Sequence, residues 1–200
     1  GIVKEKSFTF HEQFVLEGGC LNGFTLAYET YGELSSKGDN AILICHALTG
    51  DHHVAGVYSE NDTKPGWWNH VVGPGKPIDT NKFFVICSNC LGACRGSTGP
   101  TTMSSEDELY GANFPDLSIG DMVRAQKLLL EHLSVFNLFA VVGGSMGGMQ
   151  ALQWIFEYPE FSKKAIIIAA TAQHSVQTIA FNEAGRRSIT GDPDWKEGNY

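Results

Sequence analysis

Three observations predict an α/β chain: a mostly parallel sheet covered by helices. Four short apolar runs recur along the sequence, at 41–45, 83–87, 138–142 and 165–169. Each is continuously apolar rather than alternating, as strands covered on both faces are. Helical patterns lie between the last three runs, so the order strand–helix–strand–helix–strand points to parallel neighbours.

Taken in order, Phe24 to Tyr31 partly alternates and reads as an early antiparallel strand. Ala41-Ile42-Leu43-Ile44-Cys45 is the first fully covered strand. The connection from Ala47 to Lys82 is too long for a plain link; it is expected to contain some helix and to help wall a site. After the strand ending at Cys87, Ser118 is a plausible N-cap with Asp121 three residues on. From there a helix would place Ile119, Met122, Val123, Leu129, Leu130 and Leu133 on one side. A second helix is expected from about Gly147 to Tyr158, stopping before Pro159.

The length of 200 residues suits one domain, or one domain and the start of an insertion. With 42% hydrophobic and 18% charged residues the chain can bury a sizeable core. A net charge of −8 and the absence of any basic run argue against a nucleic-acid surface; Arg186-Arg187 reads as a solvated helix face. No apolar signal core opens the chain and no window approaches a membrane span, so a soluble, cytoplasmic protein is expected. Five cysteines, an odd count, fit a reducing compartment better than a disulfide framework. Cys87, Cys90 and Cys94 raise the possibility of a zinc site, but a fourth ligand is wanting nearby. Buried structural thiols are the better reading, and no metal is expected.

The candidate site follows from Gly143-Gly144-Ser145-Met146-Gly147-Gly148, which sits between an apolar strand and a helix. This is the nucleophile-elbow pattern in the strand–turn–helix setting it needs. Gly143 and Gly147 would clear room around a strained serine, and Gly148 would let the helix pack closely on the sheet. The competing reading makes Ser145 a simple N-cap after a glycine turn. Ligands of such sheets bind outside the carboxyl ends of the strands. That end should gather His46 to Gly50, Ser88 to Pro100, and Ser145. A serine nucleophile needs a base, and N–H donors aimed at the developing oxyanion. Met146, directly after the serine, and Leu48, after an earlier strand, are the expected donors.

The base is harder to place. The fold's chain order is serine, then acid, then histidine. Only His174 follows Ser145, with Glu157 and Glu160 between them, while Asp192 and Asp194 come after it. His174 follows too soon, so the completing residues are expected farther along than Tyr200.

Longer blocks carry a family resemblance. Cys45-His46-Ala47-Leu48-Thr49-Gly50-Asp51-His52-His53, Gly66-Trp67-Trp68, the stretch from Gly73 to Thr80, Cys87-Ser88-Asn89 and Gly96-Ser97-Thr98-Gly99-Pro100 closely resemble homoserine O-acetyltransferases. So do 121–126, 143–152 and Ala180-Phe181-Asn182-Glu183. The resemblance spans nearly the whole chain. It implies an α/β-hydrolase core, incomplete over residues 1–173, with a helical lid beginning in 174–200. It also implies transfer of an acetyl group from acetyl-CoA to the hydroxyl of L-homoserine, on the route to methionine. Ser145 would be the nucleophile, and Leu48 and Met146 would supply the oxyanion N–H groups. Acetyl-CoA would be a co-substrate, with no cofactor bound permanently. The resemblance further implies a homodimer joined through the lid. It offers no position here for the triad Asp, the triad His or an arginine for the substrate carboxylate, since Arg186 and Arg187 fall too early. Trp67 and Trp68 would wall a tunnel that keeps water out, or else pack under a loop. Arg95 would meet a CoA phosphate or stay solvated. A sibling using succinyl-CoA or serine, and an esterase or thioesterase of the same fold, are the alternatives.

Overall fold

A computed structural model describes residues 1–104 and 108–198. Strands β1 (Lys6–Leu16) and β2 (Gly19–Tyr31) form an antiparallel hairpin. β3 (Ala41–Cys45) follows, then the two-residue strands β4 (Val72–Gly73) and β5 (Ile78–Asp79), then β6 (Phe84–Ser88). Helix α1 (Ile119–His132), strand β7 (Ala140–Gly144), helix α2 (Met146–Glu157), strand β8 (Ala165–Ile168) and helix α3 (Val176–Thr190) complete the chain. The main sheet runs β1-β2-β6-β3-β7-β8. β2 pairs antiparallel with β1 and β6, while β6, β3, β7 and β8 are all parallel.

The two-residue period of β3 divides the core. Ala41, Leu43 and Cys45 pack with Val123 and Leu130 of α1 and with Ala151 and Trp154 of α2. Ile42 and Ile44 face the other way, toward Val54, Ala55, Val72 and the half-buried Trp68. That second face corrects one expectation. The connection from Ala47 to Lys82 contains no helix, only β4, β5 and turns. Its glycines and prolines prevent one, and at Gly66 the chain crosses its own backbone so closely that a Cβ would lie under 3.0 Å from Val54 and Ala55. Non-helical chain thus covers this face of the sheet.

The start of α1 is built as its sequence implies. Ser118 Oγ accepts from the Asp121 N–H at 3.1 Å, and the Asp121 carboxylate accepts from the Ser118 N–H at 2.8 Å. Asp121 is fully buried and also accepts from the Glu17 N–H and from Arg124. Burial opposes its charge, but these donors outweigh burial and hold the carboxyl below its ordinary range.

Candidate active site

At the carboxyl end of the sheet, β3 and β7 lie side by side with Cys45 opposite Gly143. The chain after β7 turns straight into α2, and Ser145 at the bend adopts φ 56° and ψ −123°. A positive φ on a residue with a side chain costs on the order of 1–3 kcal/mol, so the surroundings must impose it. They do so by contact. A Cβ on Gly143 would overlap the Gly147 carbonyl, and one on Gly147 would overlap the Cys45 carbonyl. A Cβ on Gly148 would strike Ala170 beyond the end of β8. The Ser145 N–H is tied to the Ile168 carbonyl at 3.0 Å.

The N-cap reading is met in position only. Ser145 holds the N-cap position of α2, yet its side chain makes no capping hydrogen bond and the residue is exposed. The hydroxyl is left free at a helix N-terminus, where negative charge is favoured.

A cavity of about 620 Å³ opens beside this bend. His46, Leu48 and Asp51 from the loop after β3, Asn89 to Arg95 from the loop after β6, and Met146 line it. The loops after β3 and β6 therefore meet the first residue of α2, Met146, whereas Ser145 itself does not line the cavity. Among the described residues neither the Leu48 nor the Met146 N–H donates to another group. Leu48 turns its side chain outward, 77% exposed, within a turn closed by the Gly50 N–H to the Ala47 carbonyl at 2.9 Å.

His46 braces that turn. Its Nδ1 lies 2.8 Å from the Ala47 carbonyl, and its Nε2 accepts from the Cys90 N–H at 3.0 Å. Nδ1 must therefore carry the proton and donate. Both ring nitrogens are spent, and burial lowers the pKa, so His46 is a neutral strut and not a base. Underneath runs a chain of buried amides that the sequence reading missed. The Trp154 indole donates to Gln126 at 2.8 Å, Gln126 to Gln150 at 2.7 Å, and Gln150 to the His46 carbonyl at 3.4 Å. Two glutamines at buried helical positions were the available signal.

Other expectations divide. Cys45, Cys87 and Cys90 are buried, and burial drives their thiols up, that of Cys90 to about 12. Cys94 corrects the reading of all three clustered cysteines as buried, because it is exposed on the cavity wall. Among the described residues no group of three His, Cys, Asp or Glu side chains could hold a metal ion. Trp67 and Trp68 stack on each other and do not line the cavity; Trp67 instead donates its indole N–H to the Asp51 carbonyl at 2.9 Å. Arg95 does line it, but its guanidinium is paired with the Asp51 carboxylate. Glu157 is bound by Arg124 at 3.0 Å and Gln153 at 2.7 Å. His174 lies instead on an apolar groove with Met149, Phe156 and Ile179. No described helix is long and apolar enough to cross a membrane.

A mostly parallel sheet with a strained, exposed serine between β7 and α2, next to a cavity lined by the Leu48 and Met146 turns, defines a serine-elbow α/β protein. Residues 40–200 match the model of the alpha/beta hydrolase fold, and the chain belongs to that family. Curated relatives agree along the whole chain. It is 55% identical over 202 residues to the homoserine O-acetyltransferase of Methanococcoides burtonii and 52% identical to that of Geotalea uraniireducens. The match covers all of this chain, 41% of the first relative and 55% of the second. The chain thus spans about half the length of the curated relatives it matches. Among solved structures, homoserine O-acetyltransferase from Bacillus anthracis superposes with TM-score 0.95 at 34% identity, covering 100% of this chain and 56% of that one. An acetylester hydrolase from Corynebacterium glutamicum gives 0.82 at 31%, covering 99% and 52%.

Proposed function

We propose that this chain carries the nucleophile-bearing part of a homoserine O-acetyltransferase. The observation that carries the acyl-serine chemistry is the exposed, uncapped Ser145 hydroxyl at a positive-φ bend, directly before the Met146 N–H, which with the Leu48 N–H lines the adjoining cavity. The names of the relatives, at 52% identity and above over the whole chain, favour homoserine as acceptor. In this reading Ser145 Oγ attacks the thioester carbonyl of acetyl-CoA, and the tetrahedral oxyanion is held by the Leu48 and Met146 N–H groups. Collapse breaks the carbon–sulfur bond, releases the CoA thiol and leaves acetyl-Ser145. The homoserine hydroxyl then attacks that ester and restores the serine.

The base that moves these protons, and its orienting acid, would come from the additional length that the relatives possess. His46 and Glu157 are already committed elsewhere. The segment from His174, with α3, would begin a lid over residues 174–200, of which 199 and 200 lie outside the described residues. A homodimer joined through the lid, a role in methionine synthesis and a cytoplasmic setting belong to the same proposal.

The hydrolase reading has its own support in the likeness to an acetylester hydrolase. Acceptor dependence separates the two. A transferase yields O-acetylhomoserine from acetyl-CoA and homoserine, whereas a hydrolase yields free acetate whether or not homoserine is present. In the full-length natural polypeptide, Ser145→Ala should leave the fold intact and cut turnover by roughly 10⁶-fold, as loss of a serine nucleophile does in a triad enzyme. Substantial remaining transfer would refute the nucleophile assignment.

A further inference from the structure

Outside the cavity wall, Glu29 on β2 has no exposed surface. A carboxylate withdrawn from water is costly unless donors surround it. Here the donors lead to one place. The Tyr31 hydroxyl donates to Glu29, and His53 Nδ1 lies 3.2 Å from both carboxylate oxygens. Tyr31's oxygen then accepts from the Val54 and Ala55 N–H groups, each at 3.1 Å. Burial and the nearby carboxylate push the Tyr31 phenol far up, so it stays a donor. His52 beside it is tied to Glu5 at 2.8 Å, and Tyr58 stacks on His53 with ring centroids 4.2 Å apart. Residues 53–55 thus hang from a single buried carboxylate.

That anchorage continues to the cavity. The His53 N–H donates to Asp51 Oδ1 at 2.8 Å, and the Asp51 carboxylate is paired with Arg95 on the cavity wall. Asp51 directly follows the turn from Ala47 to Gly50 that presents the Leu48 N–H. His46 holds the front of this turn, and the chain from Asp51 to His53 to Glu29 holds its back. We infer that Glu29 is a positioning residue: through Tyr31 and His53 it fixes the turn that carries the Leu48 N–H. The inference rests on the reading of Leu48 as an oxyanion donor. The chemical reason is that a carboxylate only accepts. Glutamine of the same shape that keeps its oxygen on the Tyr31 hydroxyl would put its NH2 where the second carboxylate oxygen faces the His53 Nδ1–H, so that donor meets donor. The His53 ring would be pushed from its place, and the turn would shift.

The test uses the full-length natural polypeptide and p-nitrophenyl acetate, whose pre-steady-state burst of nitrophenol gives kcat and KM for acylation of Ser145 before water clears the acetyl ester. Glu29→Gln should lower kcat for acylation by roughly ten- to a hundredfold with KM unchanged, since geometry at the oxyanion is altered and ground-state binding is not. Tyr31→Phe should give a loss of the same kind, and the double variant should lose no more than Glu29→Gln alone, because both act through one path. A folded Glu29→Gln protein with unchanged kcat, or one changed in KM alone, overturns the inference and leaves the acyl-serine reading standing. If Glu29→Gln fails to fold, Tyr31→Phe decides by the same kcat criterion. Absence of acetyl-Ser145 in the unaltered protein overturns both readings together.

Discussion

β3 and β8 flank the same strand, β7, and both are short apolar runs, yet they end in opposite environments. Every residue of β3 is buried. In β8, Ile166 is 50% exposed and Ile168 43%. β3 has strands on both edges, helices on one face and the 52–78 segment on the other. β8 has β7 on one edge and α2 beside it, with its far edge open. An apolar run therefore specifies a strand; its burial is specified by what other segments bring to it.

The largest consequence of that asymmetry is association. An open edge with exposed isoleucines is a template for pairing with another chain. The 200-residue polypeptide on its own should sediment mainly as oligomers, and replacing Ile166 and Ile168 with lysine should return it to monomer. Sedimentation velocity reads this directly, and a parent chain that is already monomeric would break the comparison.

Next in size is a contrast within one helix. Trp154 of α2 is fully buried in the β3 core and gives its N–H to Gln126, whereas Phe156, two residues on, is 81% exposed. Trp154→Ala should cost about 3–5 kcal/mol, through the cavity and the orphaned Gln126 acceptor. Phe156→Ala should stay within about 0.5 kcal/mol. Urea denaturation of the two variants checks both values, and comparable losses would mean that Phe156 is covered after all.

The same logic explains what the sequence made legible. Ala41–Cys45 appears without error, and the Ser118/Asp121 capping box was readable, because each is a local pattern that the surroundings reinforce. β1 escaped notice because a bulge shifts its register between Phe10 and Gln13. Phe8, Phe10, Phe14 and Leu16 all turn into one core cluster, but the polar stretch His11-Glu12-Gln13 at that bulge interrupts the alternation that announces a strand. The site was legible where it is local, at the glycines around Ser145. The Glu29–His53 pair joins residues 24 apart, and nothing in either stretch names the other. Its one trace was an acidic residue directly after the buried run Leu26-Ala27-Tyr28.

Acid should also distinguish the two regions. His46 sits fully buried beneath the elbow, and burial lowers its pKa below the ordinary 6.5. The unfolded chain thus takes up a proton before the native one does. This contribution to stability is complete above pH 6.5 and is lost as pH falls through the interval beneath it, with a slope of at most about 1.4 kcal/mol per pH unit. Urea midpoints measured from pH 7.5 down to 5 should fall, and His46→Asn should flatten that fall. In α3, Glu183 is held below its usual range by Arg187 and Arg186, but this group is half-buried on a helix that carries no buried residue. Its pairing should respond to salt more than to burial. A slope unchanged by His46→Asn would place the acid sensitivity elsewhere.

The smallest effect reverses sign between the regions. Gly147 and Gly185 both lie inside helices, where alanine is intrinsically favoured by about 1 kcal/mol. At Gly185 nothing approaches within 4 Å of the added Cβ, so Gly185→Ala should stabilise α3 by most of that amount. At Gly147 the same methyl would overlap the Cys45 carbonyl at the end of β3, and overpacking of that kind costs about 1–3 kcal/mol. One methyl group thus gains stability where the helix faces water and loses it where the helix presses on the sheet. The matched pair of melting temperatures tests whether closeness of backbone, rather than helix propensity, fixes residue choice at the elbow.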